Sequence, residues 1–162
     1  MPVPDPKDNA NFGWLTPWFA RGAEPNPTGY RWLKETGFAT IVNLRAEDDT
    51  EALLCDALGL GHVHVPVVDN MPPTDAQTLQ FLAMCADAAR RPLFVHCESG
   101  HGRTSTFCIL LRLAQGWKLD DAIDEQRKNF GFLPDHDRAQ VAYLQTIKIR
   151  LKAGELKLPA IG

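Results

Sequence analysis

The sequence contains no run of lysine or arginine, and its formal net charge is −3. A protein whose main partner is nucleic acid needs a concentrated basic face, so nucleic acid is not expected as a partner. No apolar segment approaches the roughly 18–20 residues that cross a bilayer, so no membrane span is expected. The opening stretch MPVPDPKDNANFGW has neither a basic start nor an apolar run, and it does not resemble a secretory signal.

Cysteine is also scarce, with four residues in a chain of 162. Cys55, Cys85, Cys97 and Cys108 lack the short paired spacing that is typical of metal sites. A chain of this size with 44% hydrophobic residues can build a core without disulfides. We therefore expect a cytoplasmic protein in which Cys55, Cys85 and Cys108 are reduced core residues, although one of them could protect an oxidised Cys97 through a disulfide.

No internal repeat, low-complexity tract or linker divides the chain. Residues 1–16 are expected to form an irregular N-terminal arm, and residues 17–155 a single folded domain. Short apolar runs predict strands at 18–22, 40–44, 62–67 and 92–97. Helices are predicted at 28–36, 47–59, 74–91, 103–115, 119–129 and 135–152. This alternation predicts an α/β domain with a central, mainly parallel sheet of four to five strands flanked by helices.

The segment HCESGHGRT, residues 96–104, lies between a predicted central strand and a predicted buried helix. In such sheets, ligands bind beyond the carboxyl ends of the strands. Gly100 and Gly102 allow the backbone to curl so that successive N–H groups point inward, toward a tetrahedral dianion. The residues predicted to bind substrate phosphate are those of this loop: Glu98, Ser99, Gly100, His101, Gly102 and Arg103.

Four residues of this segment have predicted chemical roles. Converging N–H groups at a helix N-terminus lower the pKa of a cysteine thiol, so Cys97 is expected to be a nucleophilic thiolate. Arg103 can grip two phosphate oxygens with its planar fork, and Thr104 can donate a hydrogen bond to the sulfur. His96 is expected to order the loop rather than to act as a base. The alternative is a buried strand-end cysteine beside an ordinary helix-start arginine, which the two glycines, the preceding histidine and the following threonine disfavour.

A general acid is expected outside this segment. Asp69 lies in VPVVDNMPP, just past a predicted strand end, where its carboxyl group could overhang the phosphate site. Asp69 could instead be an ordinary turn aspartate. Asp75 is then the substitute for the general acid, although the position of Asp75 at a helix start favours capping. Arg21 and Arg45 lie near strand ends and could extend a phosphate-binding rim, or they could be solvated or form salt bridges.

At HCESGHGRT the chain resembles the cysteine-based protein tyrosine phosphatase superfamily, whose loop has His-Cys, five residues, Arg, then Ser or Thr. FARGAEPNPTGYRWLKETGFATIVNLR is similar to the amino-terminal half of compact dual-specificity-like phosphatases, and VPVVDNMPP to their general-acid loop. The resemblance covers residues 19–143. It implies that residues 17–155 are a phosphatase domain with catalytic Cys97, Arg103, Asp69 and Thr104. It also implies two-step hydrolysis through a cysteinyl-phosphate, without metal or cofactor.

The implied substrate is a phosphorylated protein, on Tyr, Ser or Thr, or a small phosphorylated molecule. Glu98 with Gly100 and Gly102 resembles the HCE-containing loops of cysteine-type phytases and inositol phosphatases, which makes an inositol phosphate the second candidate. Two other functions use similar loops. A catalytically weak phosphate-binding module is disfavoured by the joint presence of Cys97, Arg103 and Asp69. A sulfurtransferase or arsenate reductase is disfavoured by the preceding histidine, the Arg-Thr ending and the separate acid loop.

Overall fold

The computed structural model describes residues 1–162, in which strands and helices alternate along most of the chain. The strands are β1 (Gly13–Thr16), β2 (Phe19–Gly22), β3 (Thr40–Arg45), β4 (Gly61–Val67) and β5 (Leu93–His96). The helices are α1 (Pro27–Thr36), α2 (Glu51–Leu58), α3 (Asp75–Ala86), α4 (Gly102–Ala114), α5 (Leu119–Phe130) and α6 (Arg138–Lys152). A short 3₁₀ turn spans Ala88–Arg90. None of the helices combines the length and the apolar character that a membrane crossing requires.

The five strands form one sheet in the order β1-β2-β5-β3-β4. β1 runs antiparallel to β2, whereas β2, β5, β3 and β4 pair in parallel. All four residues of the central strand β5 are buried, as expected of a parallel strand with helices on both faces. The predicted α/β domain with a mainly parallel sheet is therefore confirmed.

Strand β1, at the edge of the sheet beside β2, was not predicted from the sequence. Gly13–Thr16 forms β1, with Trp14 opposite Ala20 of β2. Trp14 also stacks on Phe38, with ring centroids 5.0 Å apart. The prediction of an irregular arm is wrong for these residues. Four residues are too few to show a period, so only the neighbouring edge of β2 makes this segment a strand.

Two predicted helices are shorter than expected. α2 begins at Glu51 instead of residue 47, so residues 46–50 form a loop after β3. α3 ends at Ala86 and is followed by the 3₁₀ turn, whereas one helix was predicted up to residue 91. The first difference matters for the site, because it places Glu47 in a loop at the carboxyl end of a strand.

Helix α4 is packed on nearly all sides, because it lies between the sheet and helices α5 and α6. Phe107, Cys108 and Leu111 contribute to the core under the sheet, and Ile109 and Leu110 to the core with α5 and α6. The helix that begins within the HCESGHGRT segment is thus fixed relative to the sheet.

The remaining cysteines belong to the core. Cys55, Cys85 and Cys108 are buried and free, which confirms their predicted place. Burial raises the pKa of Cys55 to about 12 and the pKa of Cys108 to about 11, and it raises that of Cys85 as well. These three thiols therefore stay protonated at neutral pH.

Candidate active site

The loop between β5 and α4 curls tightly around its own amides. Gly100 has a φ of +77°, in the left-handed region that favours glycine. A Cβ atom there would lie 2.7 Å from the carbonyl carbon of Gly22 and 2.8 Å from the nitrogen of Ala23. The main chain is also joined at this point, since Glu24 N donates to Glu98 O at 3.0 Å. The exit of β2 and the loop can approach so closely only because residue 100 has no side chain.

Cys97 lies at the base of this loop and is only 3% exposed. Its Sγ accepts hydrogen bonds from Gly100 N at 3.3 Å and from Thr104 Oγ1 at 3.0 Å. Both donors stabilise a negative sulfur more than a neutral one. The structure thus places Cys97 and Thr104 in the direct contact on which their predicted roles depend.

Arg103 is held by a carboxylate that the sequence analysis did not single out. Its Nη1 and Nη2 each lie 2.8 Å from a different oxygen of Glu47, and Nη1 also donates to Val67 O at 2.9 Å. Hydrogen bonds from Arg103 hold the pKa of Glu47 at about 2, below its ordinary 4.5. Arg103 Nε is buried without a protein acceptor, so this donor remains for a ligand oxygen.

Glu47 was missed because it was assigned to the first turn of a predicted helix. Its true position, two residues after the end of β3, is the signal that could have found it. Ligand-binding residues collect at the carboxyl ends of parallel strands, which was the argument used for Asp69.

Asp69 follows the end of β4 by two residues and faces the same edge of the sheet. Its Oδ1 lies 3.6 Å from Arg103 Nη2, and 65% of its side chain is exposed. The substitute, Asp75, lies in the first turn of α3, where it pairs with Arg150 at 3.0 Å. The cap of that helix is Thr74, in a capping box with Gln77, so the expected capping role of Asp75 is wrong.

The other predicted loop residues surround the entrance. Glu98, Ser99 and His101 are exposed, and Gly102 is half-buried at the start of α4. Two pockets flank the loop and share Asp69. One, of about 260 Å³, is lined by Asp69, Asn70, Ser99, His101, Gly102, Gly131, Leu133, His136 and Asp137. The other, of about 430 Å³, is lined by Ala46, Glu47, Val68, Asp69 and Glu98. Neither lining includes a lysine or an arginine.

His96 connects the loop to a buried carboxylate. Its Nδ1 lies 2.9 Å from Cys97 O and its Nε2 lies 2.7 Å from Glu51 Oε2. Burial alone would raise the pKa of Glu51, but hydrogen bonds from His62 and His96 reverse this effect and hold it at about 2. His96 thus orders the main chain at Cys97, in the role expected for it.

Glu51 is also common to the two groups of side chains that could hold a metal ion. The first group is Glu24, Glu51 and His96, and the second is Asp49, Glu51 and His62. Within the second group, His62 Nε2 lies 3.0 Å from Asp49 and 3.2 Å from Glu51. Glu51 accepts hydrogen bonds from His62 and His96, and Glu24 pairs with Arg45 instead.

Neither arginine suggested for the rim is free to extend it. Arg45 forms salt bridges with Glu24 and Glu47, which is the alternative considered for it. Arg21 is fully buried beneath the loop, on the side away from the entrance. The interpretation of Arg21 as a rim residue is wrong, because the strand that carries it lies inside the sheet.

A family model described as "DSP-PTPase phosphatase fused to NAD+ Kinase" matches residues 7–142 of this chain. The chain belongs to this family. A relative, NAD kinase 2, chloroplastic, of Arabidopsis thaliana, is 40% identical over 94 residues, which cover 54% of this chain and 10% of that protein. The chain thus spans about a tenth of the length of the plant relatives it matches. The putative tyrosine-protein phosphatase OCA1 of Mycosarcoma maydis is 28% identical over 81% of this chain and 84% of its own.

Solved structures of phosphatases share the fold of this DSP-PTPase family member. TpbA of P. aeruginosa is 28% identical, with a TM-score of 0.74 and coverage of 93% of each chain. The core catalytic domain of the PP-IP phosphatase SIW14 from S. cerevisiae is 21% identical, with a TM-score of 0.71 over 92% of this chain and 96% of that one. The likeness to SIW14 is one of fold alone. The predicted membership of the cysteine-based tyrosine phosphatase superfamily is confirmed.

The first prediction concerns the carboxylate that holds Arg103. Glu47→Gln keeps the shape of the side chain but removes its charge, so the guanidinium loses its ion pair and one of its two hydrogen bonds to residue 47. We expect kcat/KM for p-nitrophenyl phosphate to fall by about tenfold or more, since misplacement of a binding group is costly in rate. Glu35→Gln, an equal change on the exposed face of α1, should leave the rate unaltered. Wild-type kinetics in the Glu47 variant would contradict this role.

The same variant has an expected pH signature in stability. A carboxylate whose pKa is lowered by folding contributes stability that is complete above its ordinary pKa of 4.5 and is lost as the pH falls toward 2. The free energy of unfolding of the wild type should therefore exceed that of Glu47→Gln at neutral pH. The gap should narrow between pH 4.5 and 2 in denaturant titrations.

Proposed function

We propose that the protein is a phosphomonoester hydrolase that acts through a cysteinyl-phosphate intermediate. The observation that carries this proposal is the placement of Cys97 Sγ under two hydrogen-bond donors, Gly100 N and Thr104 Oγ1, at the base of the loop. The guanidinium of Arg103, fixed by Glu47, supports it by providing the charge that a phosphate dianion needs.

In the first step, the Cys97 thiolate attacks phosphorus in line with the leaving oxygen, so that an S–P bond forms as the P–O ester bond breaks. The loop amides and Arg103 stabilise the equatorial oxygens, and Asp69 gives its proton to the leaving alkoxide or phenoxide. In the second step, water attacks phosphorus, the S–P bond breaks, and Asp69 recovers a proton from the water. Thr104 stabilises the departing thiolate, which completes the cycle.

The contacts of Cys97 Sγ and of Asp69 also argue against the alternative functions. A module that only binds phosphate has no use for a hydroxyl group at the sulfur or for a separate carboxyl group 3.6 Å from Arg103. A sulfurtransferase or an arsenate reductase likewise does not require an acid that protonates an ester oxygen. Thr104 and Asp69 together therefore favour ester hydrolysis.

Charges at the entrance favour a substrate with few phosphate groups. Glu47, Asp69 and Glu98 line one flanking pocket, and histidines are the only residues in the other that can become cations. One phosphate dianion is met by the loop and Arg103, but each further phosphate would face carboxylates. We therefore favour a phosphoprotein over an inositol polyphosphate. The relative OCA1 is named a putative tyrosine-protein phosphatase, and TpbA has been crystallised in complex with pTyr.

A cytoplasmic location is part of the same proposal. All four cysteines are free and buried, which suits a compartment that keeps thiols reduced. A reducing environment would also keep Cys97 available as a nucleophile.

The nucleophile is tested by Cys97→Ser. The hydroxyl group is far less acidic than the thiol, so turnover should be lost while vanadate or phosphate binding, measured by calorimetry, remains detectable. Cys55→Ala, which changes a buried cysteine of the opposite core, should retain activity. Full activity of Cys97→Ser would refute covalent catalysis.

The acid is tested by Asp69→Asn. Turnover of a phosphate ester with a poor leaving group should fall by about 10²–10⁴, because the leaving oxygen departs without a proton. The loss should be smaller for p-nitrophenyl phosphate, whose leaving oxygen departs more readily without a proton. Asp75→Asn is the matched control and should behave like the wild type. If Asp69→Asn turns over the ester with the poor leaving group at the wild-type rate, the general acid is another residue.

The substrate class is tested by a kinetic panel in the presence of EDTA. We expect kcat/KM for a phosphotyrosine peptide to exceed that for inositol hexakisphosphate by about tenfold or more, with a phosphoserine peptide as the third arm. EDTA should not inhibit. A preference for the inositol phosphate would show that the acidic entrance does not select against polyanions.

A further inference from the structure

Arg21 of β2 is buried completely, and it has no carboxylate partner. Its Nη1 donates to the main-chain oxygen of Asn11 at 3.1 Å, and its Nη2 donates to Gly100 O and, at 3.0 Å, to Ser105 Oγ. The guanidinium carbon lies 4.2 Å from the centre of the Phe130 ring. Every other strongly buried arginine of the chain pairs with a glutamate: Arg103 with Glu47, and Arg112 with Glu125.

A buried cation without a counter-charge opposes folding, because desolvation is not repaid by an ion pair. The same desolvation lowers the pKa of Arg21. Neutral oxygens, one aromatic ring and the neighbouring Cys108 thiol satisfy the guanidinium only in part, and its Nε has no acceptor. An arginine in this position calls for an explanation beyond packing.

The hydrogen bond from Arg21 to Gly100 O supplies this explanation. In a loop whose amides converge on an anion, the carbonyl oxygens must point away from it and find other donors. Gly100 O receives such donors from Arg21 and, at 3.0 Å, from Asn11 Nδ2. Gly100 is also the residue whose amide donates to Cys97 Sγ at 3.3 Å. Fixing its carbonyl fixes the left-handed backbone that aims this amide.

Arg21 also reaches the helix that follows the loop. Ser105, its second partner, lies in the first turn of α4 and is adjacent in sequence to Thr104, the other donor to the sulfur. One guanidinium therefore ties β2 to the loop and to the start of α4. Both elements that carry a hydrogen-bond donor to Cys97 are held by the same group.

We propose that Arg21 is a positioning residue, which holds the Gly100 peptide and the start of α4 so that both donors stabilise the Cys97 thiolate. Its positive charge beneath the loop acts in the same direction. Arg21 does not touch the substrate, and the inference rests on the proposed cysteine chemistry. The thiolate is the counter-charge that this buried cation otherwise lacks.

The test is the pH dependence of Cys97 alkylation by iodoacetamide, measured on the full chain by mass spectrometry. Alkylation reports the thiolate without requiring turnover, and mass spectrometry assigns it to Cys97, which is 3% exposed, apart from the other three thiols, which are 0% exposed. In Arg21→Met, we expect the pH midpoint of alkylation to rise by about one unit or more, since both the charge and the tether are lost. Arg21→Lys, which keeps the charge but cannot form the fork, should show a smaller rise in the midpoint.

Arg112→Met is the matched control. Arg112 is 8% exposed, lies 4.3 Å from the centre of the Trp117 ring, and pairs with Glu125, but it makes no contact with the loop. Its replacement should lower the thermal midpoint of unfolding, because Glu125 loses its partner, while the alkylation midpoint stays at the wild-type value. This comparison separates positioning of the sulfur from a general loss of stability.

The outcomes distinguish the two proposals. Folded Arg21 variants with the wild-type alkylation midpoint would overturn the role of Arg21 and leave the proposed hydrolase intact. A wild-type midpoint near the ordinary cysteine value of about 8.5 would overturn the proposed chemistry itself. If Arg21→Met does not fold, the alkylation midpoint of Arg21→Lys alone tests the inference. The lysine variant is the one expected to fold, because lysine keeps the charge and most of the volume of arginine. An unshifted midpoint in Arg21→Lys then refutes the inference.

Discussion

A loop that turns its amides toward an anion must turn its carbonyl oxygens outward, and these oxygens need donors of their own. In this protein the loop between β5 and α4 meets that requirement with groups from distant parts of the chain. Glu98 O accepts from the main chain of Glu24, and Gly100 O from Arg21 and Asn11. The geometry around Cys97 therefore depends on how closely the exit of β2 packs against the loop.

The charged side chains near the loop are also held in place by one another. Arg103 is buried and held by Glu47 and Val67 O, and Glu47 is itself held by Arg45. Behind the loop, Glu51 and His96 form a second fixed pair at the main-chain oxygen of Cys97. Arg103 and the main chain at Cys97 are thus held by fixed partners, and preorganised groups of this kind stabilise developing charge most effectively.

The entrance to the loop is acidic. The loop itself presents the amide of Gly100 to the sulfur, and the guanidinium of Arg103 lies beside it. The surrounding surface carries Glu47, Asp69 and Glu98. Under the proposed function, such a rim repels a polyanion more than a single phosphate, so the rim selects among substrates while the loop performs the chemistry.

The sequence by itself determined the α/β alternation and the contiguous motif, since Cys97, the two glycines, Arg103 and Thr104 lie within eight residues. Asp69 could be proposed because a strand end precedes it. The partners of Arg103 and Gly100 were decided only by the tertiary structure. Glu47 lies 56 residues from Arg103, and Arg21 lies 79 residues from Gly100. No local pattern encodes such pairs, because they meet only when separate parallel strands align at one edge of the sheet.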